Sequence, residues 1–329
     1  MSRSHLSPSR VARTTRAARA WLACAWLCVL AMLGACGGEP PTPLRVATNN
    51  WPGHWPLYLA HHRGQLDARL QELSSATEVL RAFRNHRIDV GAFTIEEFLQ
   101  LLDEGNDPHV LLVVDYSNGA DSVIARPPLA SVADLRGHVI GTENTAMGAY
   151  VLRRTLESAG LTENDVKLVA SDFGDHENAY TSGLVDAIVT FEPTRSRLLA
   201  LGGKEVFSSA SIPGEIVDVL VVNSRTARER APELRKLVEA WYSAARSVNS
   251  DPERAADSLA AMTQLDRAQF RHAMGGVHLV TREENQELLQ VRLSASVLRL
   301  AETMRGAGLL SHAFTEADIA AHISRLALP

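Results

Sequence analysis

The chain has 329 residues, with 33 lysines and arginines against 38 aspartates and glutamates, a formal net charge of −5. That acidic balance repels phosphate backbones and argues against a nucleic-acid binder. The three cysteines are Cys24, Cys28 and Cys36, so everything after residue 36 lacks a thiol, which excludes an internal disulfide, a cysteine nucleophile and a thiolate metal site from the body.

The first element is a leader. Arg10, Arg13, Arg16 and Arg19 precede an uncharged run from Ala20 to Ala35, and the run closes on Leu33-Gly34-Ala35-Cys36. A basic start, an apolar run and small residues at its end make a secretory signal peptide over residues 1–35. The alternative is an uncleaved transmembrane anchor, kept open by helix-compatible Trp21, Leu22, Trp26 and Leu27, although the run is shorter than the roughly 20 residues a spanning helix needs. Its closing residues resemble the lipobox of bacterial lipoproteins, in which the cysteine is acylated; that resemblance assigns Cys36 as a lipid anchor. All five leader arginines are lost on cleavage, which leaves a body near −10, from 28 basic against 38 acidic residues. Residues 36–43, with Gly37-Gly38-Glu39-Pro40-Pro41-Thr42-Pro43, have linker composition.

The body then alternates strand and helix. Strands are expected at 44–50, 70–75, 89–94 and 110–117, with helices between them. Two of those helices open on capping patterns, Ser75 with Glu78 and Thr94 with Glu97. A second set follows: strands at 121–126, 138–143, 167–172 and 186–192, then a strand at 218–224. Beyond Arg225 the pattern reads as almost entirely helical. Alternating β and α units imply parallel or mixed sheets flanked by helices.

Five stretches in register carry a family resemblance. Trp51, Gly53, Trp55, Pro56, Tyr58, Leu59, Ala60 and Gly64 form the first. Arg84–Leu99, Asp115–Ala125, Ser131–Glu143 and Ser182–Pro193 are the others. Together they resemble the nitrate/taurine/sulfonate substrate-binding proteins of ABC transporters, the group that includes NMT1-like binders. The resemblance implies a two-lobed α/β type II periplasmic-binding fold. Lobe 1 would comprise residues 44–124 and 219–329, and lobe 2 residues 125–218. The segments 121–126 and 218–224 would cross between them, with ligand held in the cleft.

Ligands of open α/β sheets sit at the carboxyl ends of strands. Strand ends and helix starts, with the residues that open the two crossing strands, nominate Trp51, His54, Ser75, Thr94, Ser117, Gly119, Asp121, Asn144, Thr145, Glu192 and Asp218 as ligand-binding residues. Helix starts with hydroxyl caps favour an anionic group. Asp121 and Glu192 favour an ammonium or amidine instead, and Trp51 or Trp55 offers a ring for a cation or flat heterocycle. No lysine or arginine stands at these positions, so a small nitrogen-containing organic molecule fits better than a bare inorganic anion.

The expected function is therefore an extracytoplasmic, lipid-anchored solute-binding protein that delivers its ligand to an ABC permease in the inner membrane. It is expected to act as a monomer, without cofactor or metal. Two alternatives stand beside it: a ligand sensor signalling to a membrane kinase or cyclase, and a binder of nitrate, sulfonate or bicarbonate. An enzyme is disfavoured, because no nucleophile stands in a recognisable motif and no Gly-x-Ser-x-Gly elbow occurs.

Overall fold

The computed structural model describes residues 42–324. The expected signal peptide, Cys36 and the linker up to residue 41 lie outside the described residues. Among the described residues, eleven strands form two mixed sheets. The six-stranded sheet has the order β11-β4-β10-β3-β1-β2, and the five-stranded sheet the order β7-β6-β8-β5-β9.

In the larger sheet, β1 (Leu44–Thr48) runs parallel to β2 (Ala68–Glu72) and β3 (Val90–Thr94). The return strand β10 (Val217–Asn223) is antiparallel to both β3 and β4 (Pro108–Ser117). In the smaller sheet, β6 (Val139–Thr142) is parallel to β7 (Lys167–Ala170) and β8 (Ala187–Phe191). There β5 (Asp121–Ala125) is antiparallel to β8 and to β9 (Lys204–Ser208). Strands β1, β3, β4, β5 and β8 are buried almost throughout, as continuous apolar runs covered on both faces should be.

The expected crossing strands need correction. Asp121–Ala125 pairs entirely within the smaller sheet, and Val217–Asn223 entirely within the larger one. The chain changes sheets at residues 118–120 and returns between Ser209 and Ile216. The outward passage turns at Gly119, whose φ of +106° is open to glycine and strained for other residues. Ser209 staples the two passages together. Its Oγ lies 2.8 Å from Ser117 Oγ and accepts from Gly119 N–H at 2.6 Å.

The tail is largely helical and belongs to lobe 1. Helices Ala231–Ser250 and Pro252–Thr263 pack on helix Trp55–His62, and Arg267–Gly275 packs on Pro252–Thr263. Further along, the tail forms helix Arg282–Glu287, a π-helical turn at Leu288–Arg292, and helix Leu293–Gly306. One short strand interrupts the helices: β11 (Val277–Leu279) pairs with β4 and ties the tail to the sheet edge. Trp55, expected as a ligand wall, is fully buried instead and stacks on Phe270 of the tail, with ring centroids 4.8 Å apart. An indole there holds a helix against the core and cannot reach a solute.

Candidate functional site

The site grows out of one row of the larger sheet. In register across three strands stand Thr94 on β3, Asp218 on β10 and Asp115 on β4. A β-bulge follows at Asp218/Val219, a device that re-aims side chains near sites. Like charges directly opposite each other in a sheet are unfavourable. Here the two carboxyls are also buried: burial pushes Asp115 up to about 7 and raises Asp218 well above the usual carboxylate range, with the Asp115 charge adding to the effect of burial on Asp218. Asp115 is held as the charged partner by Trp51, whose indole N–H donates to both carboxylate oxygens at 3.2 and 3.1 Å.

More acids close on this row. Glu97, in the first turn of helix Ile95–Asp103, accepts from Thr94 N–H at 3.1 Å through Oε2, while Oε1 has no partner. Glu96 beside it is completely buried. From lobe 2 come Asp121, with Oδ2 unpartnered, and Glu143 at the end of β6, with Oε2 unpartnered. Burial is the leading cause that raises all four: Glu96, Glu97 and Glu143 to about 8, and Asp121 to about 7. Among the described residues no lysine or arginine lines this cleft. His54 adds no charge. It is buried and pushed down to about 4, and its Nδ1 faces the Asn49 carbonyl at 3.4 Å. Its Nε2, turned toward Asp218 at 3.8 Å, is therefore the acceptor nitrogen.

Aromatic rings form the opposite wall. Phe173 and Phe191 of lobe 2 stack with centroids 3.9 Å apart, and Trp51 of lobe 1 meets Phe191 edge-on at 5.5 Å. Trp51 thus touches both lobes. The lobes also meet through Arg153, which donates to the Ala307 carbonyl at 3.0 Å. Between them the cleft encloses cavities of about 20 Å³ and 10 Å³, each near the size of one water. Asp121, Met147 and Phe191 line both. A larger cavity, about 580 Å³, is a surface groove elsewhere, lined by Tyr150, Arg154, Arg292 and Arg299 among others. None of the nominated residues lines it.

The structure therefore brings Trp51, His54, Thr94, Asp121 and Asp218 together in one cleft. Ser75 and Thr145 are buried helix caps, accepting from Glu78 N–H at 3.2 Å and Gly148 N–H at 3.1 Å, and their neighbours Ala76 and Met147 line the cleft. Ser117 is part of the hinge staple, and its Oγ accepts from Asp121 N–H at 3.2 Å. Asn144 is exposed, and the adjacent Glu143 lines the cleft in its place. Gly119 and Glu192 line a separate cavity of about 390 Å³. Glu192 is already neutralised there, with Arg195 Nη1 at 2.9 Å and Ser196 Oγ at 2.9 Å. The residues missed were Glu97, Asp115, Glu143, Phe173 and Phe191. A charge inside the apolar run Val110–Val114-Asp115 was the available signal for Asp115. Glu97 was hidden by its second role in the capping box.

Comparisons place this geometry among known proteins. The model of the NMT1-like family matches residues 37–263. The chain belongs to the NMT1-like family. An Escherichia coli relative, named provisionally as an aliphatic sulfonates-binding protein, is 30% identical over 89 residues, 27% of this chain and 28% of its own. A Brucella abortus relative, named only as a binding protein and provisionally, is 22% identical over 173 residues, 50% of this chain and 53% of its own. The chain thus spans about half or less of the length of these curated relatives. Among solved structures, the alkanesulfonate-binding protein SsuA from Xanthomonas axonopodis pv. citri, bound to MOPS, superposes with a TM-score of 0.73 at 17% identity. That match covers 87% of this chain and 99% of the other, and gives the NMT1-like chain the type II periplasmic-binding fold.

Proposed function

We propose that this NMT1-like protein is the extracytoplasmic solute-binding component of an ABC import system, and that its solute is a small organic cation bearing an amine, amidine or protonated heterocycle. The observation that carries the reading is the charge of the cleft. Buried carboxyls of Glu97, Asp121, Glu143 and Asp218 line it, Glu96 and Asp115 lie buried beside them, and among the described residues no lysine or arginine lines it. A buried carboxylate without a partner is costly, and a bound cation supplies the missing partner.

The same residues work against an anionic solute. Helix N-termini are the natural seats for anions, but here the protein's own acids stand at them. Glu96 and Glu97 occupy the first turn of helix Ile95–Asp103. Glu143 lies near the Ala76 backbone N–H, which opens helix Ala76–Arg84 from the opposite lobe. A sulfonate entering this cleft would meet carboxylates at both places. The stacked Phe173 and Phe191 and the indole of Trp51 complete a seat for a flat or alkylated nitrogen centre. Entry requires the lobes to part about the Gly119 and Ser209 passages, a hinge motion. Export by the leader and acylation at Cys36 would hold the protein beside its permease.

Thermal-shift screening at pH 8 tests the reading. Amines, amidines and nitrogen heterocycles should raise the melting temperature, and sulfonates, nitrate and bicarbonate should leave it unchanged. Stabilisation by the anions with no response to any cation would overturn it.

A further inference from the structure

Far from the cleft, three metal-ligating side chains converge on the outer part of lobe 1. Asp107 precedes β4, His109 is its second residue, and His322 follows the helix Glu316–Ala321. His109 Nε2 lies 3.3 Å from Asp107 Oδ1, and His322 Nδ1 lies 3.5 Å from the same oxygen. One donor atom from each residue falls within 4.8 Å of the other two. Donors held about 2.1 Å from a tetrahedral zinc ion are about 3.4 Å apart, so the two contacts already have the separation a shared ion imposes.

The backbone fixes all three positions. His109 pairs with Val222 in the sheet. His322 is held to β4 through its carbonyl, which accepts from Val110 N–H at 2.8 Å, and Ser324 N–H donates to the Val110 carbonyl at 2.8 Å. Asp107 accepts through its carbonyl from Ser224 N–H at 3.2 Å. The Nδ1 of His322 donates its proton to the Pro108 carbonyl at 2.9 Å; an ion bound at that nitrogen displaces the proton and requires the ring to turn from the carbonyl toward Asp107. A surface pocket of about 300 Å³ that includes Asp107 and Ser224 gives an entry path. Two further charges face the cluster: Arg228 toward His109, and Asp318 toward His322.

We infer that Asp107, His109 and His322 form a divalent transition-metal site, best suited to Zn²⁺, that clips the C-terminal segment onto β4. Two imidazoles and a carboxylate are a borderline donor set that selects zinc over magnesium or calcium, and water would complete the tetrahedron. Because the ligands come from 107–109 and from 322, the ion closes a loop of more than 200 residues and holds the segment around His322 on the sheet.

The test uses the purified full body after chelation, titrated with Zn²⁺ alone by calorimetry and followed by thermal melting. One site per chain is expected, with a rise in melting temperature reversed by chelator. His109→Ala and His322→Ala should each weaken binding at least tenfold, and the milder Asp107→Asn should weaken it without disturbing the circular dichroism spectrum. The cleft variant Asp121→Asn should bind Zn²⁺ as the parent does. Unchanged zinc affinity in both histidine variants, absence of zinc binding by the parent, or loss of binding in Asp121→Asn would each overturn the inference.

Discussion

Replacing Asp121 with asparagine keeps the shape of the side chain and removes its charge. Asp121 is 3% exposed, one of its oxygens lacks a partner, and burial lifts its pKa from 3.8 to about 7. A carboxyl raised in the folded state binds its proton more tightly there than in the unfolded chain. Stability is therefore complete below about pH 4 and is lost as pH rises toward 7. A shift of about three units corresponds to roughly 4 kcal/mol at pH 8. Asparagine avoids that cost, and it also relieves Glu96, Glu97, Asp115 and Asp218, whose protonation the Asp121 charge promotes. The amide must find its own partners, so a net gain of about 2 kcal/mol is expected, or about 4 °C in melting temperature for a body of this size. The assay is thermal unfolding without ligand at pH 8 and pH 4, paired with calorimetric affinity for a cationic ligand. The variant should be more stable than the parent at pH 8, equal to it at pH 4, and at least tenfold weaker in binding. A variant that is less stable at pH 8, or that binds cations as well as the parent, refutes the reasoning.

Other outcomes follow from the same geometry. Affinity for a cation should rise with pH between about 6 and 8 as the cleft carboxyls, raised to about 7 and 8, give up their protons; flat affinity across that range in titration calorimetry would remove the carboxyls from the binding step. Gly53→Ala would place a Cβ 1.8 Å from Asp115 Oδ2 and 2.5 Å from Trp51 Nε1, so it should displace both and abolish binding, read by the fluorescence of Trp51. Arg195→Gln removes the guanidinium that pairs with the buried Glu192 and should cost about 3 kcal/mol of stability, measured by urea unfolding, while ligand affinity stays unchanged because Glu192 lies outside the cleft.

Much of the fold was legible because its signals are local. Continuous apolar runs gave β3, β4, β5 and β8, and hydroxyl caps followed by Glu gave the helices after Ser75 and Thr94. The strands missed were β9 and β11. Lys204-Glu205-Val206-Phe207-Ser208 is too polar, and Val277–Leu279 too short, to stand out from their surroundings. The crossing segments were misplaced because sheet membership is a property of pairing, which no local pattern encodes. The same limit shaped the site. Strand ends located the cleft, but whether a carboxyl is orphaned or paired depends on partners distant in sequence. Asp121 and Glu192 look alike as acids at strand ends, yet Arg195 neutralises one and nothing neutralises the other. Asn144 and Glu143 differ only by which side of a turn each faces. Trp51 and Trp55 lie one helical turn apart, and tail packing by Phe270 decided which became core.

The central claim concerns the sign of the charge that fills the cleft. Native mass spectrometry of the body, purified without denaturation and then released of its bound molecule, tests it most directly. A small molecule with a basic nitrogen that is protonated at neutral pH is expected. Recovery of a sulfonate, carboxylate or nitrate lacking any basic nitrogen would contradict it.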